Sequence, residues 1–127
     1  MTLTPIPNSE GKAAMISGIA EELKAERVEM LDLRRKTIVC DYFIVCSGTS
    51  DIHVRSIAEK VEEKMRAIRV KPVRVEGRGS GWILIDFGDV VCHVMREEQR
   101  QFYDLESLWK EVPIRDDIQQ PHGQSAD

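Results

Sequence analysis

The sequence predicts an α/β domain: a single mixed five-stranded sheet flanked by helices. Three observations lead to that class. Segments with a 3.6-residue apolar period alternate with short apolar, strand-like runs along the 127 residues. One run, Tyr42 to Cys46 (YFIVC), is apolar at every position, as expected of a strand covered on both faces. Two more, Trp82 to Phe87 and Val90 to Met95, meet at Gly88-Asp89, a composition suited to a hairpin turn.

Residues 1–8, with Pro5 and Pro7, read as a flexible lead. Asn8 or Ser9 can cap a helix running to about Arg27, with Ala13, Ile16, Ala20 and Leu23 as its apolar stripe. Gly18 inside it lowers helix propensity by about 1 kcal/mol. Val28 to Leu33 reads as a strand and Arg34-Arg35-Lys36 as a basic turn, with contact to RNA as the alternative reading. After Tyr42–Cys46, the run Ser47-Gly48-Thr49-Ser50-Asp51 is a turn with helix caps built in. The helix it opens reaches about Arg69. Val54, Ile57, Ala58, Val61, Met65 and Ile68 are its buried stripe, and Glu59, Glu62 and Glu63 its solvent face.

Pro72 to Glu76 begins another strand, Gly77 to Gly81 is a mobile loop, and the hairpin follows. Arg96 to Tyr103 leads into a helical Asp104–Trp109. The strand before the second long helix and the strand after it are expected to be parallel neighbours through a right-handed crossover, with the last two strands antiparallel. From Pro113 on, low hydrophobicity predicts disorder, so the folded domain spans residues 9–112 and the tail residues 113–127.

Composition narrows the function classes. The chain is 42% apolar and 31% charged, and no apolar run approaches the roughly 20 residues a membrane helix needs. The start, MTLTPIPNSEGK, lacks a signal peptide's layout, which points to the cytoplasm. Cys40, Cys46 and Cys92 are an odd set with no C-x-x-C, so buried reduced thiols are expected. Net charge is −4, unevenly spread: residues 61–81 carry six Lys or Arg against three acids, residues 82–127 four against ten. Such a chain is poorly suited to gripping DNA, and its acidic C-terminal third would favour a basic partner.

The side chains offer little for catalysis. Asp86-Phe87-Gly88 spells the kinase magnesium motif, but the chain lacks the other kinase signatures. Gly77, Gly79 and Gly81 precede a strand rather than the helix a phosphate loop requires. Cys92 and His93, being consecutive on a strand, point to opposite faces. Three scattered histidines, His53, His93 and His122, give no zinc spacing. Asp86 and Asp89 beside the Ser-Gly-Thr-Ser turn leave a nucleotide-binding or nucleotidyltransferase-like enzyme as the alternative. No cofactor, metal or small-molecule substrate is expected.

Three stretches carry a resemblance: DYFIVCSGTSDIHVRSIAEKVEE from Asp41, VRVEG from Val73, and GWILIDFGDVVCHVMREEQRQFYDLESLW from Gly81. The C-S-G-T-S turn, the W-x-x-x-D-x-G-D-V-x-x-H-V-M hairpin and the Y-x-L-E-x-L-W ending occur together and in order. They strongly resemble the ribosomal silencing factor (RsfS or Iojap) family. The resemblance implies a nucleotidyltransferase-like sheet without catalysis and a homodimer when free. It also implies binding to the large ribosomal subunit through ribosomal protein uL-fourteen. That binding would sterically block small-subunit joining and lower translation when nutrients are short.

The family's partner surface lies in the hairpin-to-helix region, which makes Trp82, Asp86, Phe87, Asp89, Arg100, Tyr103, Asp104 and Glu106 the candidate partner-binding residues. Trp82, at a strand start, is either an anchor or a core side chain. Phe102, Leu105 and Trp109 share one helical face by spacing and are assigned to the core; Tyr103 lies about 100° round, among charged residues. Asp86, Asp89, Asp104 and Glu106 would form an acidic rim, with a local Arg100–Asp104 helix pair as the bland reading for Arg100.

Overall fold

A computed structural model describes residues 5–116. In chain order its elements are α1 (Ser9–Glu22), β1 (Glu26–Asp32), β2 (Tyr42–Gly48), α2 (Asp51–Ala67) and β3 (Arg74–Glu76). Then come β4 (Trp82–Asp86), β5 (Val90–Arg96), α3 (Glu97–Tyr103) and α4 (Leu105–Glu111). The five strands form one mixed sheet in the order β1-β2-β5-β4-β3. Only β2 and β5 pair in parallel, from Tyr42 opposite Val90 to Gly48 opposite Arg96.

That order corrects one expectation. The strand after α2 is not the parallel neighbour of β2; it sits on the far edge, antiparallel to β4. The physical reason is burial. β5 (VVCHVMR) is apolar along most of its length and needs a neighbour on each side, whereas β3 has three residues, two of them charged and exposed, which suits an edge. The hairpin is as expected. Gly88, at φ 94°, makes the turn between β4 and β5, where the Phe87 amide donates to the Val90 carbonyl at 2.9 Å.

One face of the sheet is covered by α1 and α2. Strand alternation sends Tyr42, Ile44 and Cys46, Ile83 and Ile85, and Val90, Cys92 and Val94 into that layer. Ala13, Ile16 and Ala20 of α1 and Val54, Ile57, Val61 and Met65 of α2 meet them. The three cysteines are free and buried, and burial pushes the Cys40 thiol up to about 11. Gly48 permits the close fit at the start of α2: a Cβ there would lie 2.9 Å from the Val54 backbone nitrogen.

Both long helices stop earlier than expected. Each ends in a Schellman motif whose left-handed residue is not glycine. At α1, Lys24 has φ 66° and the Ala25 amide donates to the Ala20 carbonyl at 3.0 Å. At α2, Arg69 has φ 68° and the Val70 amide donates to the Met65 carbonyl at 2.8 Å. Their starts follow the caps: the Asn8 side chain accepts from the Gly11 amide at 2.8 Å and the Ser50 hydroxyl from the His53 amide at 3.0 Å.

Three further expectations change. Glu62 does not face water; it is buried and accepts from Arg78 at 2.8 Å. The Gly77–Gly81 stretch is a tight turn closed by the Ser80 hydroxyl, which donates to the Gly77 carbonyl at 2.7 Å. Residues 97–111 are two helices, because Asp104 adopts a left-handed conformation (φ 48°, ψ 57°) between them. Phe102 and Trp109 therefore lie on different helices, and Phe102 is 80% exposed rather than in the core. Part of the flexible-lead and tail assignments, residues 1–4 and 117–127, lies outside the described residues.

Candidate functional site

The second face of the sheet is only partly covered. Side chains of the opposite parity point to it: Phe43, Val45 and Ser47 from β2, Val91, His93 and Met95 from β5, and Trp82, Leu84 and Asp86 from β4. Helix α3 buries the end occupied by Val45, Ser47 and Met95. The other end stays open as an apolar groove of about 330 Å³ between Val39, Phe43, Leu84, Val91, His93 and Trp109.

Aromatic rings run across this face in one connected row. Trp109 meets Phe43 edge-on at 5.8 Å between centroids, and Phe43 lies 4.5 Å from His93. His93 lies 5.9 Å from Trp82, Trp82 4.7 Å from Tyr103, and Tyr103 5.0 Å from Phe102. Five of the chain's seven Phe, Trp and Tyr residues are in this row, so its aromatic surface is concentrated on one side. Tyr103 is 51% exposed, and Trp82 is half-buried beneath it.

His93 sets the electrostatics in the middle of the row. The Trp82 indole Nε1–H donates to its Nδ1 at 3.1 Å, which leaves the imidazole proton on Nε2. The side chain is 3% exposed, and burial holds its pKa down at about 4. At neutral pH the centre of the face is therefore uncharged.

The charged candidates divide among three places. Asp86 stands on the groove rim, where it accepts from the Gly88 amide at 2.7 Å and from Arg74 Nε at 3.1 Å. Asp89 belongs to the opposite side: it holds Lys12 of α1 at 3.2 Å. The two aspartates therefore diverge and do not form a paired carboxylate site. The Ser-Gly-Thr-Ser turn is closed on itself as well, since the Thr49 amide donates to His53 Nδ1 at 2.9 Å. No group of three or more His, Cys, Asp or Glu suited to a metal exists among the described residues. Phe87 lies in the core beneath the hairpin.

Arg100, Asp104 and Glu106 cluster at the joint between α3 and α4. Arg100 pairs not with Asp104 but with Glu106, at 2.8 Å from Nε and 2.7 Å from Nη2. Asp104 serves both helices: its amide donates to the Arg100 carbonyl at 2.9 Å, and its carbonyl accepts from the Leu108 amide at 3.1 Å. The basic turn after β1 is also engaged. Lys36 Nζ donates to the Trp109 carbonyl at 2.7 Å, closing the end of α4 over the sheet.

A sequence profile described as "Ribosomal silencing factor during starvation" matches residues 6–127. The chain belongs to the ribosomal silencing factor family. It is 32% identical to ribosomal silencing factor RsfS of Bacillus subtilis over 110 residues, 86% of this chain and 93% of that one. A crystal structure of a Chromobacterium violaceum protein superposes with a TM-score of 0.80 at 28% identity, covering 91% of this chain and 98% of that one. A mouse protein named "Mitochondrial assembly of ribosomal large subunit protein 1" is 27% identical over 99 residues, 75% of this chain and 43% of its own length.

Membership makes this a regulatory protein associated with the ribosome. No helix among the described residues is long and apolar enough to cross a membrane. Of the eight candidates, the structure brings Trp82, Asp86 and Tyr103 to one face and gathers Arg100, Asp104 and Glu106 beside it. Sequence reasoning missed Phe43 and His93 and assigned Phe102 and Trp109 to the core. The parity of β2 and β5 would have placed Phe43 with His93 once those strands were known to be neighbours.

Proposed function

We propose that the protein is a cytoplasmic translation repressor that docks its ring-lined sheet face on ribosomal protein uL-fourteen of the large ribosomal subunit. Bound there, it sterically blocks joining of the small subunit and lowers translation under nutrient limitation. The observation that carries the reading is the exposed Tyr103 ring seated on Trp82, within a connected aromatic face, in a chain of the ribosomal silencing factor family. Tryptophan and tyrosine dominate interface hot spots because they bring large, rigid contact area with a polar handle. The mouse relative's printed name, which ties that protein to the large subunit, supports the choice of subunit.

The acidic part of the proposed surface is narrower than the sequence suggests. Asp86 and Glu106 are already paired with Arg74 and Arg100, and Asp89 lies on the α1 side, which leaves Asp104 as the candidate carboxylate without an ion pair among the described residues. Docking is thus chiefly aromatic and apolar, with charge acting mainly on the rate of encounter. In the free protein the same apolar face would be covered by a second copy, giving a homodimer.

Sedimentation tests this directly. Purified large subunits should carry the protein down a gradient, and small subunits added afterwards should fail to form joined ribosomes. A protein that pellets with neither large subunits nor isolated uL-fourteen overturns the assignment.

A further inference from the structure

We infer that Arg100 is a positioning residue: with its guanidinium oriented by Glu106 of α4, it pins α3 to β1 and β2 and so holds Tyr103 on Trp82. The inference rests on the docking reading above and extends it to a residue that touches no partner. Arg100 is 1% exposed, so its side chain cannot reach another molecule. Its guanidinium instead ties four elements together. Nη1 donates to the Ser47 hydroxyl of β2 at 3.0 Å and to the Glu26 carbonyl of β1 at 3.3 Å, while Nε donates to Glu106 Oε2 of α4 at 2.8 Å, with Nη2 in ion-pair contact with the same oxygen.

The joint it spans is weak by itself. α3 and α4 have seven residues each, too short to be stable alone, and a single left-handed residue, Asp104, connects them. Tyr103 is the residue immediately before that joint. Tyr103 also lies one turn after Arg100 on the same helix, so releasing the guanidinium from Ser47 and the Glu26 carbonyl would let α3 shift and carry the Tyr103 ring off Trp82 without disturbing the core on the α1–α2 side.

A buried ion pair is a poor device for stability alone, since apolar side chains of similar volume hold elements together at least as well. A planar fork with fixed donor directions is what an orientation requires. Lysine carries the same charge but presents it as a single point, and cannot span Glu106, Ser47 and the Glu26 carbonyl together.

The test is a double-mutant cycle read by binding to large subunits and by the Trp82 indole resonance of the free protein. R100K and, separately, the milder E106Q should each weaken binding 10-fold or more in the wild-type background. In a Y103A background the same substitutions should change affinity less than two-fold, because Arg100 acts through Tyr103. The Trp82 indole signal of the free R100K and E106Q proteins should shift toward its position in Y103A. Equal losses in both backgrounds, or an unmoved Trp82 signal, overturn the inference. If wild-type protein binds no large subunits, the docking reading fails, and the Trp82 signal alone then decides the positioning claim.

Discussion

His93 shows how a residue that the sequence leaves without a role acquires one in the packing. As one of three scattered histidines it offers no ligand set. In the sheet it is a neutral acceptor for Trp82, buried among rings. Its pKa is held at about 4, below the ordinary value of 6.5, so between those values the unfolded chain binds a proton that the folded chain does not. The His93 contribution to stability is thus complete above about pH 6.5 and is lost as pH falls toward 4. Urea unfolding should show a loss of about 2 kcal/mol from this group between about pH 7.5 and pH 5. His93→Gln should remove that slope, and an unchanged slope in the variant would assign the acid sensitivity elsewhere.

Other residues were out of reach of sequence for related reasons. Phe102 was placed inside because its spacing to Leu105 and Trp109 presupposes one continuous helix. Nothing about an aspartate at position 104 announces a left-handed joint, since Asp is equally at home as a cap. Tyr103 was legible as outward-facing because an aromatic among charged neighbours has little reason to be core, and it is half exposed.

At the scale of elements, starts were easier to read than ends. Asn8 and Ser50 cap α1 and α2 as their residue types suggest. The helix ends slipped because Lys24 and Arg69 stand where glycine usually marks the stop. This gives a prediction for α1. Lys24→Gly relieves the cost of a left-handed side-chain-bearing residue, in part offset by a more flexible unfolded chain. The net gain should be about 0.5–1 kcal/mol, visible as a higher denaturation midpoint. A fall in the midpoint would mean that the Lys24 side chain makes contacts outweighing its backbone strain. Strand pairing was legible only where a turn enforced it. The β4–β5 hairpin has Gly88 and Asp89 between its strands, whereas β2 and β5 meet across 41 intervening residues, and runs apolar at every position carry no register of their own.

At the scale of the whole molecule, the two faces of one sheet are covered differently. The face under α1 and α2 buries a continuous apolar layer and stabilises the domain. The other face is closed by α3 at one end and left open at the other, with Trp109, Phe43, His93, Trp82, Tyr103 and Phe102 in one row. No single stretch of sequence holds that row: it is assembled from β2, β4, β5, α3 and α4. The family resemblance pointed to the hairpin-to-helix region, while the structure extends the candidate surface across the sheet to Phe43 and the groove beside it.

The central claim, that this open face is the ribosome-docking surface, is tested most directly by the affinity of three variants for purified large subunits. Trp82→Ala and Tyr103→Ala alter the row, and Glu59→Ala alters an exposed position on α2, behind the opposite face. The account predicts that each aromatic variant binds at least about 30-fold more weakly, equivalent to about 2 kcal/mol, while Glu59→Ala binds like the wild type. Wild-type affinity in both aromatic variants, or an equal loss in Glu59→Ala, would contradict it.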